Sequence, residues 1–276
     1  MIRQIQVNGV SIAVEERGLP DQHTLVLLHG FTGSAASWAA HLDVFASYGW
    51  RVLALDMLGH GQSDVPADAR RYTIEYCEQD ILAVLERLGV RTGEAILLGY
   101  SMGGRIALYT ALAGFFRALI LESASPGLSD PHERERRRHS DEQLAERIEH
   151  DGIAAFVRYW EHLPLFASQQ RLSCEQQQRL REQRLYNSAT GLANSLRGVG
   201  TGVQPALQKR LPTLAIPVLV LAGILDTKFC AIAQQMAHSL PSAQARIVPD
   251  AGHTVHMERP EAFDQLVKEF CTKEFF

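Results

Sequence analysis

The feature that most constrains this chain is Gly99-Tyr100-Ser101-Met102-Gly103. The short apolar run Ala95-Ile96-Leu97-Leu98 precedes it, and Gly104 to Leu112, rich in helix formers, follows. Strand, tight turn and helix in that order give a G-x-S-x-G sequence its structural meaning. The chain must reverse within a few residues, and glycines on both sides of the serine let strand and helix approach with no Cβ between them. The Ser101 hydroxyl is then expected at the carboxyl edge of a sheet, where backbone N–H groups at a helix N-terminus favour negative charge.

The surrounding pattern supports a sheet of that kind. Gln4–Val7 and Ser11–Glu15 flank the turn dipeptide Asn8-Gly9 and read as a hairpin. Thr24–Leu28 and Val218–Gly223 read as buried strands, and Arg51–Leu55, Ala118–Glu122 and Ala245–Val248 as further strands. Between them lie an expected helix over 35–48 capped by Ser34, and one over 74–88 with Thr73 as cap and Gly89 as stop. A last helix is expected from Pro260 to Phe270. Strands alternating with helices imply an α/β fold with a mostly parallel central sheet flanked by helices. From Gly127 to Gln204 the strand signal stops and helical patterns such as Leu144, Ile148 and Phe156 take over. The expected organisation is a core of residues 1–126 and 205–276 with an inserted helical cap over 127–204.

Composition narrows the function classes. The 276 residues are 46% hydrophobic and 21% charged, enough for a sizeable core, and the net charge of −4 recommends neither nucleic acid nor an anionic membrane as partner. Cys77, Cys174, Cys230 and Cys271 are scattered without a C-x-x-C pair, which suggests no zinc site and no disulfide framework. Met1-Ile2-Arg3-Gln4 lacks a signal-peptide pattern, and no apolar stretch is long enough to span a bilayer. The expectation is a reduced, cytoplasmic protein without stable membrane insertion; monomer and homodimer stay open.

A serine hydroxyl needs a histidine to take its proton and a carboxylate to orient that histidine. Asp226 and His253 each follow directly on a strand. Asp226 alone would pass for a turn residue or helix cap, and His256 is a rival base deeper in the next segment. The order Ser101, Asp226, His253 matches the α/β-hydrolase fold, which the whole chain resembles. In that fold two backbone N–H groups hold developing negative charge, and here they would belong to Phe31 and Met102.

A closer resemblance rests on Gly99–Arg105, Ser125-Pro126-Gly127-Leu128 and the arginine-rich run Glu133–Arg138. Further stretches are Trp160 with Leu163-Pro164-Leu165-Phe166, Arg184-Leu185, Gly191-Leu192-Ala193, Ser195–Gly198, Gln204-Pro205, Asp226–Phe229 and Ala251-Gly252-His253. On these the chain resembles the 2-succinyl-6-hydroxy-2,4-cyclohexadiene-1-carboxylate synthase family of menaquinone biosynthesis. The resemblance implies a lyase that expels pyruvate from a cyclohexene carboxylate, with no metal or organic cofactor and with Ser101, His253 and Asp226 catalytic. It implies a small polyanionic carboxylate substrate and assigns Tyr100, Arg105, Arg137, Trp160 and Arg184 to its binding. A serine hydrolase of an ester or carbon–carbon bond in a small acid uses the same three catalytic residues and is the competing expectation. Composition alone does not select these arginines, because 127–204 holds eleven Arg and eleven Asp plus Glu. Trp160, taken alone, fits cap core as well as ligand wall. Ile224 and Leu225 stand where many relatives carry a polar or acidic turn residue.

Overall fold

The computed structural model describes residues 2–275. Eight strands form one sheet: β1 (Ile2–Val7), β2 (Val10–Arg17), β3 (His23–Leu28), β4 (Trp50–Leu55), β5 (Ala95–Tyr100), β6 (Ala118–Glu122), β7 (Val218–Gly223) and β8 (Ala243–Val248). Their spatial order is β1-β2-β4-β3-β5-β6-β7-β8, antiparallel only where β2 meets β1 and β4. Asn8 and Gly9 both take positive φ, 47° and 78°, as a two-residue hairpin of this twist requires.

Successive side chains of a strand face opposite ways, so a strand buried on both faces must be apolar throughout. Val26, Leu28, Leu97, Leu119, Leu121 and Val220 join one apolar cluster, which receives α2 (Ile74–Arg87), α3 (Met102–Ala111) and α7 (Thr227–Ser239). Leu25, Leu27, Ile96, Leu98, Ile120 and Leu221 join the other, under α1 (Ala39–Ser47) and α9 (Pro260–Phe275).

Several local expectations shift. The helix expected over 35–48 begins as a 3₁₀ turn, Ala35–Trp38, whose leading N–H donates to Asp56 Oδ1 at 2.6 Å, and becomes α-helical only at Ala39. Thr73 holds the N-cap position of α2 without a side-chain bond to it. The last helix runs on to Phe275 because Phe270, Cys271 and Phe275 keep burying the same face.

Among the described residues, the chain between β6 and β7 forms no strand. It holds α4 (Pro131–Trp160), a 3₁₀ segment (Pro164–Arg171), α5 (Cys174–Leu185) and α6 (Ala189–Val199). Asp130 caps α4 through the N–H groups of His132 and Glu133, and Gly152, at φ 79° and ψ 168°, breaks it. Ile148, Phe156, Val157, Leu192 and Leu196 form a separate apolar cluster there, with Phe31 from the core packed on it. α6 lies tightly on the core: a Cβ added at Gly191 would overlap Gly59, and one at Gly198 would overlap Tyr72.

Candidate active site

Ser101 sits between β5 and α3 at φ 50° and ψ −107°. A non-glycine residue there costs roughly 1–3 kcal/mol and persists only where neighbours impose it. They do so here: Ser101 N–H donates to Glu122 O at 2.8 Å, and Arg105 N–H donates to Ser101 O at 3.0 Å. A Cβ on Gly99 would overlap Gly103, and one on Gly103 would overlap the carbonyls of Leu28 and His29. The turn therefore closes only with glycine at both positions.

The loops after β7 and β8 bring Asp226 and His253 to this edge. His253 Nε2 lies 3.0 Å from Ser101 Oγ, and His253 Nδ1 lies 2.7 Å from Asp226 Oδ2. An ionised carboxylate only accepts, so Nδ1 carries the proton and Nε2 is left to accept from the serine hydroxyl. The His253 and Asp226 side chains are 2% and 8% exposed. Asp226 is also a helix cap: its Oδ1 accepts from Phe229 N–H at 3.2 Å while Oδ2 holds the imidazole.

The rival, His256, also borders the cavity but is paired away from Ser101. Its Nδ1 pairs with Glu122 Oε2 at 2.8 Å in full burial, and its ring lies 4.5 Å from that of Trp38. Glu258 had no sequence signal, yet it takes the N–H of Gly252 at 2.7 Å and of Thr254 at 3.2 Å, gripping the backbone on both sides of His253.

Phe31 and Met102 both line the cavity above Ser101. Met102 opens α3, where helix geometry supplies no intrahelical acceptor for its N–H. Next to Phe31, His29 Nδ1 donates to Gly30 O at 2.8 Å and its Nε2 accepts from Met57 N–H at 3.0 Å, which fixes the neutral tautomer. Burial agrees, pushing the His29 pKa down to about 4. The two side chains pack on their neighbours: Phe31 sits edge-on to Trp160, and Met102 Sδ accepts from Ser195 Oγ.

The cavity holds about 530 Å³. Arg105, Arg137, Arg184 and Lys228 line it, and among the described residues no carboxylate does. Arg184 is buried, donates to Gln169 Oε1 at 3.0 Å, lies 5.3 Å from the Phe166 ring centroid and leaves its Nε without a partner. Burial lowers its pKa. Arg105 spends one nitrogen on Val199 O and Gln204 Oε1, and burial, with Arg137 nearby, lowers its pKa to about 10. Arg137 is 45% exposed and paired with Asp141 at 2.7 Å. Trp160 serves both packing and wall, with its Nε1 buried and unpartnered. Tyr100 lines the cavity, but its hydroxyl is engaged with Thr254 Oγ1 at 3.0 Å. Lys228 went unnoticed in the sequence, although it lies in the Asp226–Phe229 stretch; it stands 5.9 Å from the ring of Phe229, which in turn lies 4.7 Å from that of His253. Cys230 is only partly buried and donates to Gly223 O.

Residues 23–260 match the family model for the alpha/beta hydrolase fold. The chain is 45% identical over 267 residues, 96% of each chain, to a Bacillus subtilis (strain 168) protein provisionally named 2-succinyl-6-hydroxy-2,4-cyclohexadiene-1-carboxylate synthase. The chain belongs to this synthase family. A Serratia proteamaculans (strain 568) synthase of the same name is 35% identical over 93% of this chain and 96% of its own. The solved structure of MenH from S. aureus superposes with a TM-score of 0.90 at 35% identity, covering 95% of this chain and 98% of that one. Across this family match lie both the Ser101, Asp226 and His253 set and the helical segment that carries Arg137, Trp160 and Arg184.

Proposed function

We propose that this chain is a carbon–oxygen lyase. It eliminates pyruvate from 2-succinyl-5-enolpyruvyl-6-hydroxy-3-cyclohexene-1-carboxylate, giving 2-succinyl-6-hydroxy-2,4-cyclohexadiene-1-carboxylate for menaquinone synthesis. The observation that carries the reading is a serine–histidine–aspartate set opening into a cavity with four cationic side chains and no lining carboxylate among the described residues. The substrate has three carboxylates, and arginine's planar fork suits each of them.

The ring proton at C2 is acidic because it lies α to the succinyl ketone. Ser101 Oγ, relaying to His253 Nε2, takes that proton, and Asp226 stabilises the imidazolium that forms. Charge moves onto the ketone oxygen, where the N–H groups of Phe31 and Met102 hold it. The electrons then return through C3=C4: C2=C3 and C4=C5 form, the C5–O bond breaks, and the enolpyruvyl group leaves, takes up a proton and becomes pyruvate. Arg105, Arg184 and, at the rim, Arg137 and Lys228 hold the carboxylates, with the rings of Tyr100 and Trp160 as walls.

Among the described residues no helix is long and apolar enough to cross a membrane, and the four cysteines are free. Both support a place in the cytoplasm. Supplying the cyclohexene substrate and following pyruvate together with diene absorbance tests the reading. Turnover lost in Ser101→Ala is expected; turnover no faster than that variant's in the parent would end the proposal. Efficient cleavage of simple esters through a trapped acyl-Ser101 would favour hydrolysis instead.

A further inference from the structure

The cap reaches the catalytic pair through a chain of buried hydrogen bonds. Arg184 donates to Gln169 Oε1 at 3.0 Å, Gln169 Nε2 donates to Thr254 Oγ1 at 2.8 Å, and Thr254 Oγ1 lies 3.0 Å from the Tyr100 hydroxyl. Arg184 and Gln169 belong to the cap segment, whereas Tyr100 and Thr254 are the chain neighbours of Ser101 and His253. The Thr254 hydroxyl thus ties the nucleophile turn to the histidine turn, and Gln169 ties that junction to a cavity arginine. Gln169 is 8% exposed and Thr254 1%, so water competes poorly for these bonds. The cap is also seated closely on the other side of the histidine: a Cβ on Gly252 would overlap Ser168 Oγ.

We propose that Gln169 is a positioning residue that makes the alignment of Ser101 with His253 depend on the cap segment bearing Arg184. The role in turnover rests on the lyase reading above; the alignment itself does not. Gln169 touches no reacting atom. It orients the Thr254 side chain, and with it the backbone carrying His253, while its carbonyl holds one Arg184 N–H and leaves the unpartnered Nε for a substrate carboxylate. A side chain in the cap segment therefore enters the rate of the core's proton transfer.

The test uses a small neutral fluorophosphonate, whose attack by Ser101 needs the imidazole in place but no carboxylate recognition. Gln169→Leu and Thr254→Val are each expected to slow phosphonylation about tenfold. The double variant should be no slower than either single one, and Thr254→Ser should recover most of the loss. With the cyclohexene substrate, kcat falls in step in both variants; KM changes less than twofold in Thr254→Val, whereas it rises in Gln169→Leu, which also removes the acceptor that holds Arg184. Labelling rates equal to the parent's in both single variants, or losses that multiply in the double variant, overturn the proposal. If Gln169→Leu fails to fold, Gln169→Met and Thr254→Val carry the same comparison. A parent enzyme that releases no pyruvate would end the lyase reading and leave the labelling result standing.

Discussion

Replacing Arg184 by methionine should separate function from stability. The guanidinium is buried, has one hydrogen bond to Gln169, and leaves its Nε unsatisfied. Burial depresses its pKa, so without a carboxylate the folded state carries part of the cost of desolvating a cation. Arg184→Met removes that cost. It also removes the bond to Gln169 and the stacking on Phe166, each worth about 1 kcal/mol. These contributions oppose one another, and at about 2–4 °C per kcal/mol the Tm should stay within roughly 5 °C of the parent's. Activity has no such compensation. A charge-assisted hydrogen bond to substrate contributes roughly 1.5–3 kcal/mol, so kcat/KM for pyruvate release should fall roughly 10- to 150-fold. Thermal unfolding and steady-state pyruvate release on one preparation decide the matter. An unchanged kcat/KM would remove Arg184 from the site, and a Tm lower by more than about 10 °C would make it a structural cation.

Asp226→Asn should leave the fold intact and lower kcat by about 10⁴, because an amide at 2.7 Å no longer holds the imidazole tautomer that accepts at Nε2; pyruvate release and circular dichroism check it. Gly103→Ala should lower the unfolding free energy by about 3 kcal/mol or more, and with it the urea midpoint, since the added Cβ meets the carbonyls of Leu28 and His29; an unshifted midpoint would contradict the packing. Burial holds His29 near a pKa of about 4 and His60 near about 3, against an unfolded value of 6.5. The unfolded chain then binds protons that the folded one refuses, so the stability these residues provide above pH 6.5 is lost as the pH falls from there toward 4. His60→Asn should make that loss shallower in urea titrations across the same range.

The meeting of Ser101, Asp226 and His253 was legible because each member is announced locally. Ser101 has its glycines, Asp226 lies in the turn after the apolar strand β7, and His253 follows β8 in Ala251-Gly252-His253. The charge of the site was not legible. Equal numbers of arginines and acids in 127–204 make the cap neutral by composition, and only folding turns Asp141, Glu142 and Glu149 toward other arginines while Arg184 is left facing the cavity without a carboxylate partner. Lys228 was missed for a similar reason: its meaning depends on where the first turn of α7 points. Glu258 and Gln169 act through contacts between segments, Gln169 across 85 residues of chain, and no periodicity records such a contact. The break at Gly152 falls at an Asp151-Gly152 dipeptide, a local turn signal, within the run of helical patterns from Leu144 to Phe156.

The most direct measurement is a single-turnover reaction with the cyclohexene substrate, read by intact-protein mass alongside pyruvate and diene. Pyruvate and diene appearing one for one, with no mass added to Ser101 at any time, is the result expected of a serine–histidine pair moving a proton. A transient acyl mass on Ser101, or pyruvate formed without the diene, would contradict it.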